Sequence, residues 1–299
     1  MAGDERARLV RAATYASTSV ALVLVLSKLV AWLLTGSVSL LSSLVDSSLD
    51  LLASAVTWLA VRHAMNPADR EHRFGHGKAE ALSALAQAGF ILASTIGLIF
   101  AGIERLMMPH PIVREEIGIA VSLLSIVATA GLALFQRHVV RRTGSVAISA
   151  DALHYRSDLL VNIAVVVVLL VTTRFGVVWL DGAAAIAIAL YLLLGVRAIT
   201  GQALDVLMDR ELPGADRRRI EAIARAHPAA RDLHGLRTRS SGATRFIELH
   251  VAFDPDLPLA VAHRHGDEIE AAIKTAFPDA EVLLHHDPHG IEVPQREPA

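Results

Sequence analysis

Six apolar stretches of near bilayer-crossing length recur along this chain, at roughly 12–34, 38–61, 81–103, 117–136, 145–173 and 177–200. A segment in lipid must satisfy its backbone N–H and C=O groups internally. A helix does so, and about 20 apolar residues cover the hydrocarbon core. Each stretch is therefore read as a transmembrane helix. Composition agrees: 53% of residues are hydrophobic and 19% charged, against about 25% charged in a soluble domain. Mean hydropathy is +0.47. A net charge of −2 offers nothing to a nucleic acid. The absence of cysteine removes disulfides, thiolate metal sites and cysteine nucleophiles. The apolar run after the charged segment Met1–Arg11 is too long for a signal sequence and is read as a retained first span.

An even number of spans puts both termini on one side. Arg6, Arg8 and Arg11 precede the first span, Arg62, Arg70, Arg73 and Lys78 lie between the second and third, and Arg137, Arg141 and Arg142 follow the fourth. The alternate loops hold only Arg105, Arg114 and Arg174. By the positive-inside rule both termini are cytoplasmic.

The composition changes near residue 211. Pro213 and Gly214 are read as breaking the last membrane helix, and charge then rises. Asp216 to Ala226 and Leu259 to Phe277 read as helices. Leu233 to Ser240, Thr244 to Phe253 and Glu281 to His286 read as strands. In the second strand Ile247, Leu249, Val251 and Phe253 alternate with Phe246, Glu248, His250 and Ala252, which is strand period. The expected architecture is a membrane all-α bundle of six helices over residues 1–210, followed by a small cytoplasmic α+β domain over 211–299.

Ionisable residues interrupt two of the spans. Asp46 and Asp50 are one turn apart in the second, and His154 and Asp158 one turn apart in the fifth. At bilayer depth each costs at least ~2.5 kcal/mol on insertion scales. At about 1.5 Å per residue, Asp46 and Asp50 lie roughly 12 and 18 Å from the outer face, and His154 and Asp158 roughly 14 and 20 Å from the inner face. All four converge near the midplane, where secondary transporters commonly bind substrate. Ser39, Ser43, Asp46, Asp50, Ser54 and Thr57 form one polar stripe, and Asp151, His154, Asp158 and Asn162 another. Facing stripes of this kind would line a wet cavity. Three carboxylates and one imidazole suit tetrahedral zinc; ligand type admits cadmium, cobalt, ferrous iron and manganese as well. Two other readings use the same residues, as polar ties between helices or as a proton relay without metal.

The segments SSLVDSSLDLLAS and ADALHYRSDLLVN resemble the second- and fifth-helix signatures of the cation diffusion facilitator family. PADREHRFGHGKAE, LRTRSSGATRFIELH and LLHHDP are similar to its bacterial zinc and ferrous-iron efflux branch. The resemblance covers nearly the whole chain. It implies a homodimeric, proton-coupled exporter of divalent metal in the cell inner membrane, with a cytoplasmic domain of metallochaperone-like fold. Carried over by position, the transport site is Asp46, Asp50, His154 and Asp158. Relatives selective for manganese often have Asn at the position of His154, so this chain resembles the zinc and cadmium type.

Asp69, His72 and His76 follow Pro67 in the second loop at spacings of three and four, which suit one helix face or a tight turn. They read either as a solvated polar loop or as a metal site, and the match to DREHRFGH implies metal. The resemblance also implies an ion pair between Lys78 and Asp209; the alternative for Lys78 is an ordinary snorkelling lysine. Eight of the fourteen histidines follow residue 211. Strand alternation puts His250 on the face away from the core, and His285, His286 and Asp287 cluster at a strand end. The resemblance implies a binuclear site at the dimer interface made of His234, His250, His263, His285 and Asp287. His286, where some relatives carry an amide, is a further candidate across the dimer. His227, His265 and His289 match no ligand position and read as surface residues.

Zinc takes neutral imidazole and ionised carboxylate, so binding releases protons. The implied mechanism is metal/proton antiport by alternating access, with the cytoplasmic site sensing zinc and stiffening the dimer. The nearest rival is a metal-gated channel without proton coupling. A membrane metalloenzyme is a second rival, but the sequence carries no nucleophile elbow, HExxH or phosphate loop. A third is a metal sensor with a membrane anchor, which leaves the midplane residues unexplained. Gly89, Ala93, Gly97 and Ala101, four apart on the third span, offer a smooth row for close helix contact.

Overall fold

The computed structural model describes residues 3–36, 38–108, 116–175, 177 and 179–291. Six long helices come first: α1 (Gly3–Thr35), α2 (Val38–Ala64), α3 (Ala79–Met107), α4 (Glu116–Thr143), α5 (Val146–Phe175) and α6 (Leu180–Leu207). Several run past the apolar stretches into polar flanks, because backbone hydrogen bonding continues where hydrocarbon ends. Among the described residues, five of the six are long and apolar enough to cross a membrane. The sixth, α5, carries Asp151, Arg156 and Asp158 in its first half, and some side chains of its apolar run lie outside the described ones. So do the side chain of Ser39, residue Arg114 and the tail beyond 291.

The bundle divides into two groups. α1, α2, α4 and α5 pack together, and α3 pairs most extensively with α6. Val10 and Ala13 of α1, Val61 of α2, Val139 of α4, and Ala147 and Ile148 of α5 make one small core. Ala81, Ala84, Ala88 and Ile91 of α3 meet Ala150 and Leu153 of α5 and Leu192, Val196, Ile199 and Ala203 of α6 in a second. Small residues dominate because lipid gives helices no hydrophobic drive to associate, so close approach must supply the contact energy. The glycines that matter here are Gly102 and Gly182. A Cβ on Gly182 would stand 2.5 Å from the Gly102 carbonyl oxygen. The row Gly89, Ala93, Gly97 and Ala101 instead lies on an open face of α3, where a Cβ on Gly89 or Gly97 meets nothing within 4 Å.

The last membrane helix does not end at Pro213 and Gly214. α6 closes at Leu207, with Asp209 in the left-handed region at φ 58°. Arg210 N–H reaches back to Asp205 O at 2.9 Å, the six-to-one bond of a Schellman cap. Asp is one of the few side chains that tolerate this conformation. Pro213, at φ −51° and ψ 141°, is the extended residue that opens α7 (Gly214–Arg225).

Beyond it lie β1 (Asp232–Ser241), β2 (Thr244–Phe253), α8 (Leu259–Ala276) and β3 (Ala280–Pro288). The sheet order is β1-β2-β3, with β1/β2 antiparallel and β2/β3 parallel. A parallel pair needs a crossover, which α8 provides. Ile247, Leu249, Val251 and Phe253 face Ile220 and Ala224 of α7 and Ile269 and Ile273 of α8 in one core, as the period-two pattern requires.

The sheet is held against the bundle by the loop between α2 and α3. A Cβ on Gly77 would meet Ser241 O at 2.3 Å, so this crossing of two backbones tolerates glycine alone. Beside it the Arg239 guanidinium lies 4.7 Å from the Phe74 ring centre and 4.9 Å from that of Phe246. The prediction from the helix contact is that Gly182→Ala lowers the thermal stability of the detergent-solubilised protein by about 1–3 kcal/mol. Gly89→Ala, on the open face, should leave it unchanged in the same melting assay; equal losses would mean that the α3–α6 contact is not close-packed.

Candidate metal centres

α2 and α5 bring three of the four intramembrane residues together. The i,i+4 spacing puts His154 and Asp158 on one face of α5, opposite Asp50 of α2. His154 Nε2 is 2.9 Å from Asp50 Oδ1 and 3.6 Å from Asp158 Oδ2. One donor atom from each of the three lies within 4.8 Å of the others. His154 is only 7% exposed, and its Nε2 is aligned for a hydrogen bond with neither carboxylate. Donor atoms that crowd one point without bonding each other have the arrangement of ligands around a cation. Asp46, one turn along α2, is exposed and stands outside this group.

The surroundings fix the group's position. Tyr155 OH donates to Ser17 O at 3.1 Å and pairs with Ser54 Oγ at 2.8 Å, so α1, α2 and α5 are tied behind it. The expected polar stripe of α5 proves to serve several purposes. Asp151 is fully buried and accepts from Gln136 at 2.7 Å and Gln87 at 3.5 Å, which makes it a tie to α4 and α3. Asn162 donates to Asp158 O at 2.7 Å, along its own helix.

Lys28 of α1 is the residue that sequence reasoning passed over. Its Nζ donates to Ser47 Oγ at 2.6 Å and Ser43 O at 3.3 Å, on the face of α2 that carries Asp46 and Asp50. A lone lysine near the end of an apolar run reads as interfacial. The available signal was its depth, since seven residues before the end of α1 is about 10 Å along the helix.

In the loop, Asp69 sits 3.6 Å from His72 Nδ1 and 3.3 Å from His76 Nε2. Its carboxylate accepts the backbone N–H of His72 at 2.6 Å and of Glu71 at 2.9 Å. These bonds, the one from His72 foremost, hold it below the usual carboxylate range. His76 is buried, its Nδ1 has no hydrogen-bond partner among the described residues, and its ring meets that of His63 edge-on at 4.5 Å. Two residues on, Lys78 Nζ lies 2.9 Å from Asp209 Oδ1, and Arg239 Nη1 lies 3.5 Å from Asp209 Oδ2. The left-handed cap of α6 is thus held between the start of α3 and strand β1.

Strand register assembles the third group. His234 pairs with His250 across β1/β2, and His250 with His285 across β2/β3. Asp287, two residues on, returns to the same face. Its Oδ2 is 3.2 Å from His234 Nε2 and 2.8 Å from His250 Nδ1, and its Oδ1 is 3.2 Å from His285 Nε2. His263, on α8, stays apart beside His286, with ring centres 5.5 Å apart. Burial, and then the neighbouring His263 and His285, push the His286 imidazole below its ordinary value, so it is neutral at pH 7. Its Nε2 packs against the Gly266 backbone.

The structure also joins two histidines read as surface residues. His227 Nε2 is 2.9 Å and His265 Nδ1 3.4 Å from Glu268 Oε2. The hydrogen bond from His227, then that from His265, holds the Glu268 carboxyl below its ordinary range. Ala229 N–H donates to His227 Nδ1 at 3.2 Å. That nitrogen therefore carries a lone pair, and in neutral imidazole the proton sits on Nε2. His227 is a donor to Glu268 here, a clip between the end of α7 and α8, and its Nε2 is not free to ligate.

Sequence comparisons agree with this architecture. The family described as cation efflux transmembrane domain matches residues 14–208, and that described as cation efflux protein, cytoplasmic domain, matches 212–289. The cation-efflux pump FieF of Pectobacterium atrosepticum is 46% identical over 282 residues, 94% of each chain. That of Klebsiella pneumoniae is 44% identical over 289 residues, 95% of this chain and 94% of its own. Among solved structures, CzrB in its Zn form is 34% identical over 29% of this chain and 99% of its own, at a TM-score of 0.27. A MamM C-terminal domain is 22% identical over 25% of this chain and 96% of its own, at 0.24. With both domains matched in order and relatives aligned nearly end to end, this chain is a member of the cation efflux, or cation diffusion facilitator, family of multi-pass membrane transporters.

Proposed function

We propose that the chain exports a divalent transition-metal ion, zinc foremost, from the cytoplasm in exchange for protons. The observation that carries this reading is the buried Nε2 of His154, crowded by the Asp50 and Asp158 carboxylates with a well-aligned hydrogen bond to neither. A tetrahedral zinc ion with ligands at about 2.0–2.1 Å separates them by about 3.3–3.4 Å, close to the 2.9 and 3.6 Å found. Asp46 lies one turn from Asp50 and joins as the fourth ligand through a rotamer change. Nitrogen-plus-oxygen ligation also accepts cadmium and ferrous iron, with cobalt and manganese further down by softness and geometry.

Loading requires neutral imidazole and ionised carboxylates, so metal entering from the cytoplasm expels protons, and protons entering from outside expel metal. Alternating exposure of the site then yields antiport. The loaded protein works as a homodimer in the inner membrane with both termini cytoplasmic, which the arginine distribution supports. Asp69, His72 and His76 form a loop site. His234, His250, His285 and Asp287, with His263 and His286 beside them, form a regulatory site whose metal stiffens the paired cytoplasmic domains. The Lys78–Asp209 pair, with Arg239, carries that stiffness to α3 and α6.

Two outcomes follow. Asp50→Ala or Asp158→Ala should abolish zinc uptake into proteoliposomes under an imposed pH gradient. Full flux in both would overturn the site assignment, and wild-type flux indifferent to the pH gradient would mean a channel. His234→Ala combined with His285→Ala should remove zinc-dependent protection of the cytoplasmic sheet in hydrogen exchange; unchanged protection would strip these residues of the regulatory role.

A further inference from the structure

Lys28 has no place in the ligand set, yet it sits beside it. Its ammonium is held on α2 by Ser47 Oγ at 2.6 Å and by Ser43 O at 3.3 Å. Ser43, Asp46, Ser47 and Asp50 share one helical face by their spacings of three and four. The ammonium of Lys28 therefore lies along the face of α2 that carries Asp46 and Asp50. Its level in the bundle is also defined. The end of α2 at Ala64 leads into the loop that packs on the sheet, whereas Ser43 and Ser47 lie towards the opposite end. Lys28 therefore stands on the side of Asp50 remote from the cytoplasmic domain, between the carboxylates and the far mouth of the bundle.

Charge counting shows what such a residue does. Asp46, Asp50 and Asp158 together carry three negative charges. One divalent ion and one ammonium balance them with His154 neutral, and a low-dielectric site favours the balanced set. Like charges also repel, so an ammonium on this face of α2 weakens the hold of the same carboxylates on a divalent ion.

We propose that Lys28 is a tethered counter-cation of the intramembrane site, anchored on Ser47 and Ser43, which competes with the divalent ion for the carboxylates and drives its release towards the far mouth. With metal bound, the ammonium rests on α2. As metal leaves, its flexible stem lets it swing onto Asp50 or Asp46 and oppose rebinding from outside. The residue acts on the ion through the carboxylates and is a positioning residue. The inference rests on the assignment of Asp50, His154 and Asp158 as the transport site.

The test is zinc flux in proteoliposomes of the full-length protein, in mildly alkaline buffer where protons compete least for the ligands. Lys28→Met and Lys28→Gln should each lower the KM for zinc about tenfold or more, by loss of a unit charge in a medium of intermediate dielectric, and should also lower the maximal rate. Lys28→Arg, which keeps the charge, should stay near wild type. An unchanged KM in both neutral variants would overturn the proposal, as would wild-type behaviour of Lys28→Gln alone, which would reduce Lys28 to a hydrogen-bond donor. If neither neutral variant transports, calorimetry in detergent decides. The part of zinc binding that Asp50→Ala removes must be tighter in Lys28→Met than in wild type, or the proposal fails. Full flux in Asp50→Ala would refute the transport-site assignment itself, whatever the Lys28 variants do.

Discussion

The contact of His154 with Asp50 joins α2 to α5 inside the membrane, and much of the bundle is arranged to hold it. Ionisable groups at bilayer depth are costly unless they face one another or water. The cost is contained by packing the polar residues inward. Tyr155, one position after His154, ties α5 to Ser54 of α2 and Ser17 of α1. Asp151, one turn before His154, is bonded by Gln136 and Gln87. α2 and α5 are thereby fixed in rotation, which a cluster of three short side chains from two helices requires.

The cytoplasmic domain is coupled to this bundle through short-range contacts rather than a broad hydrophobic face. Gly77 crosses the β1–β2 turn at backbone distance, Arg239 stacks on Phe74 and Phe246, and Asp209 takes both Lys78 and Arg239. The loop between these contacts is the one that carries Asp69, His72 and His76. An ion held there would act on a segment already clamped at the sheet and, through Lys78, at the start of α3 and the end of α6, where small displacements are transmitted instead of absorbed.

Not every histidine cluster has the chemistry of a metal site. His227, His265 and Glu268 are as close together as the other groups, but the backbone N–H of Ala229 settles the tautomer of His227 and makes it a donor. At His154 no such bond to Nε2 is made. The direction of a single N–H marks that cluster as a structural clip, which distance alone does not.

Much of the fold was legible in the residue pattern. Apolar runs of bilayer length marked the long helices, and alternation marked β2 from Thr244 to Phe253 with its core face. These are local periodicities, and lipid or a sheet face enforces them residue by residue. The i,i+4 pairs Asp46/Asp50 and His154/Asp158 were visible for the same reason. Other features depended on which elements meet. α6 closes at Leu207 with a left-handed Asp209, four residues before the Pro213–Gly214 signal, because a Schellman cap and two cations from distant segments stabilise that backbone. The close helix contact uses Gly102 and Gly182, while the smoother row on α3 stays open, since packing follows the partner's shape as well as the row. Asp46 lies outside the donor cluster and Lys28 beside it, and neither placement follows from spacing along one helix. Sequence determined that α2 and α5 carry carboxylates and an imidazole into the membrane. Only the tertiary structure decided which of those charges face each other, because that depends on the relative rotation and level of helices brought together from distant parts of the chain.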